Sequence, residues 1–173
     1  MKRIFYVIAF TAVMAGCKKE DYDPWNDEVI PVSLVGIEAV NIDNSGEFPE
    51  TSDLPVRKEA YMVGVRWITE HTVSDDDKFI TGVIKEGAQT YNSLGDRYKK
   101  AIVCNTDFSA SIPAGSYVSK FFKEIDRKYL PADVDEGFVL LVAPAAGEHS
   151  FRVEYYEGQT LKFFHDTPTI NFY

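Results

Sequence analysis

Basic residues, cysteines and long apolar runs are all scarce in this chain, and each shortage excludes a class of protein. Its 173 residues contain 18 Lys and Arg against 27 Asp and Glu, a net charge of −9 at pH 7. Binding to phosphate backbones or anionic headgroups depends on Lys and Arg displacing counterions. A chain this acidic opposes such contacts, and no nucleic-acid partner is predicted.

The main apolar stretch is too short to cross a bilayer. It covers residues 4–16, directly after Lys2 and Arg3. A helix of that length reaches about 20 Å, whereas the hydrocarbon core is about 30 Å thick. A charged start, a short apolar segment and the small residues Ala15 and Gly16 are typical of a cleaved export signal.

Only two cysteines are present, and Cys17 stands directly after the small residues of the export signal. That arrangement resembles a bacterial lipoprotein signal, in which the first mature residue is a cysteine that accepts a diacylglyceryl group. Several acyl chains hold a protein stably on a membrane, whereas one chain holds it only reversibly. We predict a signal peptide over 1–16, a lipidated Cys17, and a flexible tether over 17–30. The alternative is an ordinary secreted protein in which this cysteine is incidental.

A short charged tag follows the cysteine. Lys18, Lys19, Glu20 and Asp21 resemble the tag that sends lipoproteins of the Bacteroidota to the outer face of the outer membrane. The resemblance implies a protein anchored by lipid in the outer membrane and facing the cell exterior, with the periplasmic face as the alternative. Cleavage leaves 16 basic against 27 acidic side chains, net −11, so lipid is the only membrane attachment the sequence predicts.

The mature chain has the patterning of a mainly β protein. Four apolar residues at helical spacing, Val118, Phe121, Phe122 and Ile125, predict one short helix. Short strands with turn signals between them indicate a single antiparallel β-sandwich of the immunoglobulin-like class over residues 31–173. Strands are predicted over 32–42 with a bulge at Gly36, and over 57–72, 79–84, 98–104, 138–142 and 170–172.

A hairpin closes the domain. Phe151, Val153 and Tyr155 alternate with polar residues, and Leu161 and Phe163 resume the apolar face after Gly158. A three-residue loop over 156–158 pairs Val153 with Leu161 and Phe151 with Phe163, which brings the two apolar faces together. The same register places His149 opposite His165.

No metal site or cofactor is predicted. His149 and His165 are weak metal candidates, because a zinc site needs at least a third protein ligand. Asp75 and Asp77 are weak candidates for calcium, because their run lacks the spaced acidic positions, the glycine and the distal glutamate of a calcium loop. Cys104 lies in an apolar run and is predicted to be a buried thiol.

The sequence also lacks the common catalytic motifs. It contains no nucleophile elbow, no glycine-rich phosphate loop, no His-Glu-x-x-His and no paired-cysteine metal motif, so no catalytic residue is predicted and the interpretation favours a non-enzyme. A pair of carboxylates for sugar cleavage is defined only in space and stays open. Aromatic residues predicted to be exposed are either sugar-stacking residues or ordinary strand and turn residues: Trp25, Tyr91, Tyr98, Tyr117 and Tyr156.

The chain as a whole resembles a group of small Bacteroidota lipoproteins catalogued as a domain of unknown function. The resemblance is carried by the export segment to Cys17, the turn 43–46, the strand 58–65 and the segment 147–156. It implies a location and a compact β-rich domain, with no activity or site residues. Three hypotheses follow: a surface module that binds a glycan or a protein partner, an extracellular hydrolase of carbohydrate or peptide, and a fimbria-like structural subunit.

Overall fold

The computed structural model describes residues 32–71 and 94–173. The predicted signal peptide, Cys17, the tether, strand 79–84 and the carboxylates Asp75 and Asp77 lie outside the described residues. The described chain is mainly β, and its antiparallel sheets pack around one main core as a sandwich-like fold. This architecture is the one that the sequence predicts.

Ten strands are formed by the described residues: β1 (Val32–Asp43), β2 (Glu50–Thr51), β3 (Tyr61–His71), β4 (Lys99–Cys104), β5 (Phe122–Ile125), β6 (Glu136–Leu140), β7 (Gly147–His149), β8 (Phe151–Glu157), β9 (Thr160–Asp166) and β10 (Ile170–Phe172). The larger sheet has the order β2-β1-β3-β6-β5. A second sheet has the order β4-β8-β9, and β10 pairs with β7.

The main core lies between the two larger sheets. Phe151 of β8 is fully buried, and its ring lies 5.4 Å from that of Phe122 and 5.6 Å from that of Tyr61. Ile170 and Phe172 of the terminal strand are buried in the same core. Aromatic side chains bury large apolar areas, so this cluster contributes strongly to stability.

The first long strand pair agrees with the predicted pattern in two respects. The register of β1 against β3 shifts between Leu34 and Gly36, which confirms the bulge. Tyr61, Val63 and Val65 of β3 face the main core, as their spacing of two predicts.

The opposite face of β3 is more buried than its sequence predicts. Gly64 lies against Val40, Ile42 and Val134, and an added Cβ would stand 2.6 Å from the Ile42 Cδ1 atom. Glycine therefore lets the chain around Val134 cover this face, where we expected a half-buried strand.

The predicted short helix is wrong. Residues Ser119–Phe121 form one 3₁₀ turn, and Phe122 then begins β5, which pairs with Leu140 at the end of β6. The backbone of β5 forms hydrogen bonds with β6, and this tertiary contact overrides the local preference for a helix that the apolar spacing indicates. Helical residues of the described chain occur only in such short turns, and none of its helices is long and apolar enough to cross a membrane.

The predicted register of the closing hairpin is also wrong. Val153 pairs with His165 instead of Leu161, and Phe163 pairs with Tyr155 instead of Phe151, so each predicted pair is off by four residues. Gly158 has a φ of 62°, and it begins a two-residue turn between Glu157 and Thr160. A bulge at Tyr155 and Tyr156 then shifts the register by one residue, so that Tyr155 and Phe163 share the core side.

Candidate functional site

The two histidines predicted to face each other are held in different parts of the fold. His149 pairs with Ile170 in the β7–β10 ladder and is buried, and its Nε2 donates to the Ala145 carbonyl oxygen at 2.8 Å. His165 is exposed on β9, where its Nδ1 accepts the Ala39 N–H at 3.1 Å. The predicted pairing of His149 with His165 is therefore wrong, because the hairpin register differs.

The described residues do not gather a metal-binding set. No group of three His, Cys, Asp or Glu side chains able to hold an ion occurs in residues 32–71 and 94–173. Cys104 is fully buried, and its Sγ lies 3.4 Å from the carbonyl oxygens of Pro113 and Ser116. The prediction of a buried thiol is confirmed.

A cleft of about 410 Å³ opens between β4 and β5. Lys100 enters it from the core-facing side of β4, beside Tyr98 and opposite Glu124 of β5. The Nζ atom of Lys100 lies 2.8 Å from Oε1 of Glu136 and 3.0 Å from Oε1 of Glu124. One ammonium group therefore links β4 of the smaller sheet to β5 and β6 of the larger.

The electrostatics of this cleft are dominated by the burial of Glu136, which is only 7% exposed. Burial raises the pKa of the Glu136 carboxyl, while Lys100 and a hydrogen bond from the Tyr155 hydroxyl oppose that rise. Burial acts to lower the pKa of Lys100, but the two carboxylates outweigh it and the pKa is raised. Lys100 is therefore a cation at neutral pH, and both oxygens of Glu136 are occupied.

Gly95 provides the space that this cluster needs. An added Cβ at Gly95 would lie 2.7 Å from the Trp67 ring and would overlap the Glu136 carboxylate. Residues Gly95–Arg97 form a 3₁₀ turn that leads into β4. The backbone can approach Glu136 closely only because the residue at this position is a glycine.

The charges of the cleft are largely satisfied within the protein. Glu136 is bound by Lys100 and Tyr155, and Lys100 also contacts Glu124. A glycoside hydrolase needs a pair of carboxyl groups that reach its substrate, whereas Glu136 is buried and Glu124 of the cleft wall is paired with Lys100. The arrangement is suited to joining the two sheets rather than to acid–base chemistry.

A second polar surface lies on the outer side of the β4-β8-β9 sheet. We call it the aromatic face and define it by Tyr117, Tyr156, Phe164 and Glu154. Tyr117 is 61% exposed and Phe164 is 54% exposed. The hydroxyl oxygens of Tyr117 and Tyr156 lie 3.2 Å apart, and the Tyr156 hydroxyl donates to Oε2 of Glu154 at 2.6 Å.

The strand register sets these side chains side by side. Glu154 and Tyr156 lie two residues apart on β8 and so project from the same side of the sheet. Phe164 of β9 pairs directly with Glu154, and the Arg152 guanidinium lies over the Phe164 ring at 5.0 Å. The hydrogen bond to Glu154 raises the pKa of Tyr156, so this phenol stays protonated.

Sequence reasoning identified only part of this face. Tyr117 and Tyr156 are among the aromatic residues named for sugar stacking, whereas Tyr98 packs between Tyr155 and Phe163. Trp25 and Tyr91 lie outside the described residues. Phe164 was missed, although Phe163 and Phe164 are consecutive in a strand and must face opposite sides.

Comparison with protein-family models, with curated proteins and with solved structures finds no match to this chain. The functional interpretation therefore depends on the residues themselves. Chemically, the aromatic face offers two exposed rings, two phenol hydroxyls and a carboxylate on one side of a sheet. Such a surface presents apolar area and hydrogen-bonding groups together.

Proposed function

We propose that this chain is a lipid-anchored lipoprotein of the Bacteroidota cell surface, resembling the group of small β-rich lipoproteins described above. In this proposal residues 1–16 are removed, Cys17 is acylated, residues 17–30 form the tether, and residues 31–173 form a non-enzymatic binding module. The support is the order of charged start, apolar segment, small residues and cysteine, followed by the tag 18–21. The outer leaflet facing the exterior is favoured over the periplasmic face by that tag.

Replacement of Cys17 by Ser tests the anchor. Because the variant lacks the thiol that carries lipid, we expect it to move from the membrane fraction to the soluble fraction of the native host. Intact mass of the wild-type protein is expected to show removal of residues 1–16 and added acyl mass. Cys104→Ser, at the buried thiol, is the matched control and is expected to stay in the membrane fraction. An uncut leader or an unmodified Cys17 in the wild type would contradict the anchor.

We further propose that the ligand is a glycan that stacks on the aromatic face. The observation that carries this proposal is the set of exposed rings beside Glu154. A sugar has apolar C–H faces that stack on aromatic rings and hydroxyl groups that bond to phenols and carboxylates. Rigid tyrosine side chains supply such contact area at low entropic cost. The cleft at Lys100 supports a binding role less well, because its charges are already paired.

A glycan array with the full chain carrying Cys17→Ser tests the glycan proposal. Titration calorimetry with the strongest array ligand then measures the effect of Tyr156→Ala. We expect a loss of affinity of about tenfold or more, as for a central aromatic contact. Tyr129→Ala is the control, because Tyr129 is a tyrosine of the surface, 58% exposed, that lies on the 3₁₀ turn Arg127–Tyr129 and is not part of the aromatic face. Equal losses in both variants, or no ligand on the array, would refute a glycan site here.

A further inference from the structure

Glu154 is an unusual member of the aromatic face because it is a buried carboxylate without an ion pair among the described residues. It is only 7% exposed on the central strand of its sheet. Arg152, two residues away on the same strand, interacts with Glu154 through its charge, but its hydrogen bonds go to Asp166. Its Nε donates to Oδ1 of Asp166 at 2.9 Å and its Nη2 donates to Oδ2 at 3.2 Å. The hydrogen bond from Tyr156 reaches Oε2, and no described cation contacts either oxygen. A buried carboxylate normally has a cationic partner.

The rings around Glu154 favour a cation as well. The electron-rich faces of tyrosine rings attract ammonium groups, and the attraction increases when the cation is partly desolvated. Tyr117 and Tyr156 are joined through their hydroxyls, so their rings stand on the same side of the sheet as the carboxylate. Aromatic rings beside a carboxylate are the elements with which proteins bind alkylammonium ligands.

The charge of the whole domain acts in the same direction. The mature chain carries a net −11, and a strongly acidic protein raises the local concentration of cationic ligands. A glycan bearing acidic groups would be repelled by this field. A neutral glycan would gain nothing from it.

We infer that the glycan bound at the aromatic face carries a free amino group, and that its ammonium contacts Glu154 beside Tyr117 and Tyr156. This inference rests on the proposed glycan binding and specifies the ligand as an amino sugar. The ammonium donates to the Glu154 carboxylate, and the sugar ring covers the tyrosines. The pairing supplies the direct ionic contact that no described residue makes with this carboxylate.

Two probes of equal length separate this inference from the proposed function. One is a fully N-acetylated glucosamine oligosaccharide, and the other is the same oligosaccharide after removal of the acetyl groups. Titration of the full chain carrying Cys17→Ser is expected to show at least tenfold tighter binding of the free amine. Because the contact is ionic, this advantage is expected to shrink as NaCl is added.

Glu154→Gln identifies the carboxylate responsible. Glutamine keeps an acceptor for the Tyr156 hydroxyl but removes the charge, so the ratio of the affinities for the free-amine and acetylated probes is expected to fall to about one. Glu148→Gln removes one charge from an exposed position of β7 and is expected to keep the preference. Thermal unfolding of both variants checks that they are folded.

The outcomes distinguish the two claims. Equal affinity for both probes, or a preference unchanged by Glu154→Gln, overturns the inference. If the probes bind in this way and Tyr156→Ala abolishes their binding, the proposed glycan site is still supported. Binding of neither probe overturns the inference, and the array result then decides the proposed function independently.

Discussion

Lys100→Met is expected to lower the free energy of unfolding by about 3–5 kcal/mol at neutral pH, as for removal of one partner of a buried ion pair. Lys100 Nζ lies 2.8 Å from Oε1 of Glu136, and Glu136 is only 7% exposed. Without the ammonium, the carboxylate keeps only the hydrogen bond from Tyr155 as a described contact to oppose its burial. Urea unfolding followed by far-ultraviolet circular dichroism measures the change.

The loss in Lys100→Met is expected to depend on pH. Burial already raises the pKa of Glu136, and removal of Lys100 raises it further, because that cation opposes the rise. An acid whose pKa is raised by folding binds more protons in the folded state than in the unfolded state. Its contribution to the free energy of unfolding therefore falls as pH rises from the ordinary glutamate pKa through the raised pKa of the folded state. The difference from wild type should be small near about pH 4 and largest near about pH 8.

Two companion variants make this result specific to the ion pair. Lys99→Met changes the neighbouring residue, which is exposed, and is expected to cost about 0.5 kcal/mol or less. Adding Glu136→Gln to Lys100→Met removes the unpaired charge and is expected to restore most of the loss. A loss in Lys100→Met no larger than that in Lys99→Met would show that the pair does not stabilise the fold.

Phe151→Ala is expected to destabilise the domain by about 3–5 kcal/mol, the range measured when a buried aromatic ring is truncated. Phe151 is fully buried, and five rings surround it at centroid distances of 5.4–6.5 Å: Tyr61, Phe108, Phe122, His149 and Phe172. These neighbours come from the larger sheet, the β7–β10 pair and the loop after β4, so the cavity cannot close by movement of one side chain. Calorimetry is expected to show a fall in Tm of roughly 6–20 °C.

Phe164→Ala is the matched control for Phe151→Ala. Phe164 is also a phenylalanine of the β8–β9 hairpin, but it is 54% exposed. Its truncation is expected to cost about 1 kcal/mol or less, including the contact with Arg152, and to weaken glycan binding. If the two variants lose the same stability, the assignment of core and outer sides of the hairpin is incorrect.

Several strands were predictable because their side chains alternate between a solvent-facing side and a core-facing side. Tyr61, Val63 and Val65 had to share one face at a spacing of two, and their burial in the main core confirms it. β4 was predicted from the apolar run 101–104, and the terminal strand from Ile170 and Phe172. Gly36 marked the bulge, since glycine within a strand pattern often stands where pairing is irregular.

The errors concern features that depend on partners distant in the chain. The spacing of Val118, Phe121, Phe122 and Ile125 fits a helix, yet β6 offers a pairing edge that the local pattern does not reveal. The hairpin register depends on a bulge after a two-residue turn, and both the bulge and a three-residue loop bring apolar residues together. The Lys100 and Glu136 cluster was invisible for the same reason, because these residues meet only across two sheets.

The aromatic face was partly predictable. Tyr117 and Tyr156 could be proposed from composition and pattern, but their contact with Glu154 depends on the order β4-β8-β9 and on the register of β9. The sequence of a strand fixes only which of its own side chains project from the same face of the sheet. Which strands lie beside it decides whether scattered aromatic residues become one surface.

By itself the sequence determined the acidity of this protein and the β-rich class of the domain, and it predicts a lipid anchor at Cys17. These properties depend on composition and on spacing over a few residues, which act before any distant part of the chain is in place. Only the tertiary structure decided that Lys100 pairs with Glu136, that His149 and His165 lie apart, and that Glu154 is buried beside Tyr156 and Phe164. Those arrangements depend on strand order and register, which are set by burial over the whole domain rather than by any local pattern.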